Sequence, residues 1–252
     1  MNATQGVVLF GTGAAAGVVN AVGGGGTLLC FPALLWCGLS GRSANATSTV
    51  ALLPGIGGAM LPYRDAARPW MRDLGLLVAP AVAGGVLGAV ALRALPKGEF
   101  LHLLPWLTLA ATVLYAVSGR VVARLAAARG RGWTLPRWAS SALVFAVSLY
   151  GGFFGAGIGI LLLAMLTWMG VSEFHRSNFL KLALWLILNL AAVAVYASFG
   201  LVRWPEAGAM AAGSVAGGWF GASAARRLGE GALRAAVVAI GLGTSAVMLA
   251  RG

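Results

Sequence analysis

Two glycine clusters interrupt otherwise apolar sequence: Gly23-Gly24-Gly25-Gly26-Thr27 and Gly155-Ala156-Gly157-Ile158-Gly159. Each glycine costs a helix about 1 kcal/mol against alanine, so both clusters predict a helix break. Main chain freed from a helix in apolar surroundings must line a cavity or be buried in protein. A helix restarting at Thr27 would point unpaired N–H groups and its positive dipole end at that cavity, which is the chemistry of an anion site. Close helix packing through small residues is the competing reading. It is the better account of Gly84, Gly85 and Gly88 and of Gly217, Gly218 and Gly221, where small residues recur at helical spacing. For Gly23, Gly24, Gly25, Gly26 and Thr27, and for Gly155, Gly157 and Gly159, an anion site is the better account.

Three further polar groups stand in apolar sequence. Asn45, Thr47, Ser48 and Thr49 open one apolar segment, where they could contact a ligand or cap a helix near an interface. Ser177, Asn178 and Lys181 open another. A lysine within an apolar run is a functional cation, or else it snorkels to the nearby interface; both readings stand. Asn20 and Asn189 could be ligand contacts, though helix–helix hydrogen bonding is the commoner use of such residues. His175, beside Glu173 and Arg176, reads as a solvated loop residue.

No enzyme constellation accompanies these groups. The six acidic residues lie mostly in loops, the two histidines are far apart, and there is no nucleophile elbow, P-loop or HExxH. Cys30 and Cys37 have neither metal-ligand nor disulfide-framework spacing and read as buried thiols. No metal, cofactor or catalytic residue is expected.

Elements that position such groups must be built for lipid. Of 252 residues, 60% are hydrophobic and 10% charged, against about 25% charged in soluble domains. The mean hydropathy is +0.88. The stretches Leu74–Leu92, Phe100–Ser118, Leu180–Phe199 and Ala232–Ala250 approach the ~20 apolar residues that cross a bilayer. The net charge of +12 would elsewhere raise nucleic acid as a partner. Here the basic residues are spread over short loops, where they signal topology instead. The N-terminus has no basic residue ahead of its apolar run and lacks the n-region of a signal peptide.

The chain repeats itself. Residues 81–95 match 214–228 at nine of fifteen positions, ending in Arg93/Arg226 and Leu95/Leu228. Upstream, Gly23, Gly25, Leu29, Leu34, Trp36, Gly38 and Ser40 pair with Gly155, Gly157, Leu161, Leu166, Trp168, Gly170 and Ser172, and Asn45 then pairs with Asn178. Each half reads as a short run (Gly6–Val22; Ala139–Phe154), a glycine cluster and a second short run (Thr27–Leu39; Ile160–Val171). Three longer segments follow: 45–62, 74–95 and 100–119, then 178–199, 207–225 and 232–250. Thirteen residues make only about 20 Å of helix, half of a broken pair. The expectation is one all-α polytopic membrane domain over 1–252, with repeat one at 1–119, a cytoplasmic linker at 120–137 and repeat two at 138–252. Whether the broken pairs cross fully or re-enter is open. Each half crosses an odd number of times either way, so the repeats are inverted, as in many transporters. That arrangement puts 13 basic residues inside and 5 outside, whereas an even number of crossings splits them 10 to 8. Both termini are therefore expected outside.

The order of these motifs resembles the TauE/SafE, or sulfite-exporter, family. The resemblance rests on Gly23-Gly24-Gly25-Gly26-Thr27-Leu28-Leu29 through Pro32 and Gly38, on Ala46-Thr47-Ser48, and on the echo from Gly151 through Gly159 to Gly170. It covers nearly the whole chain. It implies a carrier of the bacterial inner membrane for sulfite, sulfonates, sulfoacetate, thiosulfate or related organosulfur anions. The second half departs from the first at Phe179-Leu180-Lys181, where the first has Thr47-Ser48-Thr49, so the halves need not bind alike. The expected function is secondary transport of a small sulfur oxyanion by alternating access, with the bilayer as surroundings. The alternative is a non-transporting membrane subunit or scaffold for a partner protein. The anion's identity, the direction of transport, a coupling ion (proton or sodium) and homo-oligomer formation are open at this stage.

Overall fold

The computed structural model describes residues 1–22, 25–61, 68–128, 135–171, 173–228 and 230–251. Among these are ten α-helices: α1 (Ala3–Val22), α2 (Thr27–Trp36), α3 (Gly41–Met60), α4 (Arg68–Ala94), α5 (Lys97–Ala128), α6 (Arg137–Phe153), α7 (Ile158–Met169), α8 (Phe174–Ser198), α9 (Trp204–Leu228) and α10 (Glu230–Arg251). No strand occurs among the described residues. Among the described residues, three helical stretches are long and apolar enough to cross a bilayer by length and composition: Leu74–Ala94, Glu99–Leu125 and His175–Ser198.

The packing maps onto itself when the halves are exchanged. α1 packs along α9, and its counterpart α6 packs along α4. α3 packs on α9 as α8 packs on α4, and α2 meets α10 as α7 meets α5. The counterparts α3 and α8 meet each other, as do α5 and α10. α3 and α8 run in opposite directions. Asn45, near the start of α3, lies against Tyr196, near the end of α8. Ile56 and Ala59, late in α3, share a cleft with Leu182 and Trp185, early in α8.

Small residues set how close these helices come. In lipid, helices associate through packing and hydrogen bonds rather than expulsion of water, so backbones must touch. A Cβ added at Gly217 would lie 1.9 Å from the Ala14 carbonyl oxygen, and one at Gly88 would lie 2.1 Å from that of Leu149. The two contacts belong to counterpart helix pairs, α9 on α1 and α4 on α6, and Gly84, the counterpart of Gly217, would bring a Cβ 2.5 Å from the Phe145 carbonyl oxygen. The packing reading of Gly84, Gly85, Gly88 and Gly217 therefore matches the geometry. The Gly221 side of the same stripe lies outside the described side chains.

Loops gather by end of the bundle. Gln5 Nε2 donates to the Cys37 carbonyl at 3.5 Å, so the α1–α2 hairpin returns to the face it left. α2 is ten residues, about 15 Å of helix, half a hydrocarbon thickness. Arg42 Nη1 donates to the Arg93 carbonyl at 3.4 Å. The Arg93 guanidinium sits 5.1 Å over the Phe199 ring, and the Arg203 amide donates to Thr47 Oγ1 at 3.1 Å. The N-terminus and the α2–α3, α4–α5 and α8–α9 turns thus share one face.

Several boundaries differ from the sequence expectation. α5 continues to Ala128, so Arg120 and Arg124 are helical rather than part of a linker. α3 begins at Gly41, capped by Ser40, whose hydroxyl accepts from the Ser43 amide. Asn45, Thr47, Ser48 and Thr49 therefore lie inside a helix and are buried; they do not cap it. Cys30 is buried as expected, whereas Cys37 is only half-buried.

Candidate anion site at the helix breaks

The two breaks approach one another on α5. A Cβ at Gly25 would lie 2.6 Å from the Tyr115 ring, and one at Gly157 would lie 3.7 Å from the Ala111 carbonyl oxygen. Ala111 and Tyr115 are one helical turn apart, on the same face. Phe31 of α2 meets Phe154 of the second break edge-on, with centroids 5.8 Å apart. Gly23 and Gly24 lie outside the described residues; Gly25, Gly26 and Thr27 are buried.

The first break is closed by its own chain. Asn20 Oδ1 accepts from the amides of Gly25 at 3.1 Å and Gly26 at 2.8 Å. The expectation that these N–H groups stand free is corrected: a neutral side-chain oxygen occupies them. Asn20 is likewise not a helix–helix link but the cap of the break. Gly25 has φ 151° and Gly26 φ −57°, so only glycine suits the first of them.

The second break differs at one decisive position. Gly157 is the repeat counterpart of Gly25, and the counterpart of Asn20 is Gly152, which has no side chain to return. Gly155 (φ 72°) and Gly157 (φ 73°) flank Ala156, whose φ is negative. Such alternation turns successive amides toward one concavity, an anion-binding nest. Among the described residues the amides of Ala156 and Gly157 have no acceptor, although both residues are buried. Buried N–H groups are almost always paired, which makes these two exceptional. Gly159 lies in the first turn of α7, also buried.

Tyrosines hold the carbonyls around this nest. The Tyr150 hydroxyl donates to the Ala156 carbonyl at 2.7 Å, and the Tyr196 hydroxyl donates to that of Gly152. Asn45 Nδ2 donates to the Phe153 carbonyl at 3.1 Å, tying the first half to the second, while its buried Oδ1 has no donor. Three of the four tyrosines, at 115, 150 and 196, therefore sit at the breaks. They were not singled out from sequence, although a tyrosine within an apolar run needs a hydroxyl partner and is a usable signal.

A polar stripe on α8 leads toward the same region. Ser177, Lys181 and Trp185 recur every fourth residue and share a face. Lys181 is 4% exposed, whereas a snorkelling lysine keeps its tip in water. Among the described residues, nothing is hydrogen-bonded or ion-paired to its ammonium. The buried Ser177 hydroxyl also has no partner. Asn178, beside it, is half-buried. Trp185 lines a cleft with Gly17, Asn20, Gly55, Ser214 and Gly218. The void in it is about 10 Å³, room for about one water, so an oxyanion enters only if the helices part. Ser48 and Thr49 are less available: both hydroxyls donate back to the Asn45 carbonyl at 2.9 Å.

Apolar helices of membrane-crossing length, packed backbone to backbone through glycine around two broken pairs, define an α-helical membrane protein. Residues 9–248 match the family described as Sulfite exporter TauE/SafE, and the chain belongs to that family. It is similar to a "Probable membrane transporter protein" of Haemophilus influenzae, 27% identical over 249 residues, covering 96% of this chain and 93% of the relative. It is also similar to "Probable membrane transporter protein ORF9" of a Sinorhizobium species, 24% identical over 246 residues, covering 96% and 91%. No solved structure matches. The protein is a membrane transporter.

Proposed function

We propose that the protein is a secondary transporter of a small sulfur oxyanion or organosulfonate in the bacterial inner membrane, working by alternating access. The observation that carries the anion reading is the pair of amides at the buried residues Ala156 and Gly157, which have no acceptor among the described residues. An oxyanion supplies the acceptor they lack, at the positive end of α7. A bound anion also compensates the buried Lys181 ammonium, which has no partner among the described residues and whose burial uncompensated would cost several kcal/mol. The family's name supports sulfur oxyanions as the class. Uptake of sulfite, thiosulfate and sulfoacetate by proteoliposomes tests this; no uptake of any of the three would refute it.

Lys181→Met is expected to weaken anion binding at least tenfold, about 1.4 kcal/mol, with the melting temperature held or raised, because a buried charge with no partner among the described residues is removed. Lys181→Arg keeps part of the affinity. Calorimetric titration in detergent measures both, and unchanged affinity in Lys181→Met would remove this residue from the site.

The two repeats are proposed to be inverted about an axis in the membrane plane, with both termini outside. The opposite directions of α3 and α8 support this, as does the basic-residue split of 13 to 5. In a cysteine-free background, Asn2→Cys is expected to react with an impermeant maleimide in whole spheroplasts, and Arg137→Cys only after lysis. Reaction of both from one side would contradict the inversion.

A further inference from the structure

The second break has an electronegative side as well as an electropositive one. α6 ends at Phe153, and the last carbonyls of a helix have no amide to meet and carry the negative end of its dipole. Here two of them are met by side chains from other helices. The Tyr196 hydroxyl donates to the Gly152 carbonyl, and Asn45 Nδ2 donates to that of Phe153 at 3.1 Å. Each carbonyl keeps a second lone pair. Asn45 is fully buried, and its Oδ1 has no donor among the described residues. Holding the Phe153 carbonyl takes only a donor, so that role leaves the buried oxygen beside it unaccounted for.

Four oxygens gather there, because Asn45 lies against Tyr196 as well as against Phe153. Half a turn of the Asn45 amide about χ2 brings Oδ1 to the place of Nδ2, 3.1 Å from the Phe153 carbonyl oxygen. Two oxygens that close repel each other unless a cation lies between them. Ligands ~2.4 Å from a hard cation of calcium's size, set at right angles, stand ~3.4 Å apart. The spacing therefore suits an ion of that size. All four oxygens are uncharged, whereas a divalent ion of that size is bound through carboxylates. A monovalent ion of the same size is sodium.

Resting on the function proposed above, we propose that sodium binds at the end of α6, held by Asn45 Oδ1, the Gly152 and Phe153 carbonyls and the Tyr196 hydroxyl oxygen, and that it is the coupling ion of transport. In transporters with broken helices, unwound carbonyls and half-helix C-termini hold the cation while half-helix N-termini hold the anion. Here both ends belong to one break. Only Phe154 and Gly155 separate the Phe153 carbonyl from the Ala156 amide. A cation on one side and an anion on the other attract, so each tightens the other's binding by the same factor. Asn45 comes from the first half and both carbonyls from the second, so the ion also bridges the repeats.

Sodium itself is the first probe, with no anionic substrate added. The detergent-purified full chain is melted in sodium, potassium or choline chloride at equal concentration. The melting temperature is expected to be highest in sodium and to climb with its concentration, and radioactive sodium is expected to bind saturably. Equal melting in the three salts, or no saturable binding, overturns the site whatever the anion does. Asn45→Asp puts a carboxylate beside the two carbonyls. It is expected to melt below the unmutated chain in choline, to gain more from sodium, and to bind sodium about tenfold more tightly. A residue that only donates to Phe153 would instead lose stability equally in all three salts, and that result also overturns the proposal. In proteoliposomes, an inward sodium gradient is expected to raise uptake of thiosulfate, supplied free of sodium, about tenfold over choline. Equal uptake in both overturns the coupling and leaves anion transport standing. No uptake in either removes the transport reading and the coupling role with it, while the melting series still decides the sodium site.

Discussion

Asn20→Asp is expected to abolish transport while leaving the protein folded. The side chains are nearly the same size, and the carboxylate inherits the two amides that Asn20 Oδ1 now accepts, at 3.1 and 2.8 Å. Charge strengthens both bonds and suits the start of α2, so the fold loses little. The new charge, however, sits where a substrate anion would profit from the same helix end. Two like charges about 4 Å apart repel by roughly 4 kcal/mol at an effective dielectric constant near 20. That is about a thousandfold in affinity. Uptake by proteoliposomes, read beside the melting temperature, checks both halves of the expectation. Normal uptake would mean that the first break does not face the substrate.

A second pair of substitutions separates site from scaffold. Gly157→Leu is expected to yield folded, inactive protein. A first side-chain carbon there meets Ala111 alone, its carbonyl oxygen at 3.7 Å and its Cβ at 4.0 Å, both ordinary contacts, and a φ of 73° costs a non-glycine residue about 1–2 kcal/mol. The remaining carbons crowd the approach to the Ala156 and Gly157 amides. Gly85→Leu is expected to fail to assemble, because the same carbon would lie 2.5 Å from the Leu188 carbonyl oxygen, which is main chain and cannot turn aside. A loss above about 4 kcal/mol follows from overpacking at a backbone contact. Size-exclusion profiles and uptake distinguish the two; active Gly157→Leu protein would move the site away from the second break.

The sequence made the scaffold legible because its signals are local or periodic. Glycine runs locate the breaks to within a residue or two, since few other reasons place four glycines in apolar sequence. The small-residue stripe at 84, 85 and 88 announced backbone contact, and the geometry has it. The site was less legible, because its decisive bonds depend on how the chain returns. Asn20 reaches five and six residues forward only because the break turns back over it. The link from Asn45 to Phe153 spans 108 residues and joins opposite halves. The asymmetry of the breaks was nevertheless written in the alignment of the halves, where Asn20 faces Gly152. That substitution leaves the second break without a cap of its own.

An oxyanion site formed where the two breaks meet is tested most directly by uptake of radiolabelled sulfite, thiosulfate and sulfoacetate into proteoliposomes. Vesicles holding the unmutated protein should accumulate at least one of the three above protein-free vesicles, and vesicles holding Asn20→Asp should accumulate none. Equal accumulation by both proteins, or none by the unmutated one, would contradict it.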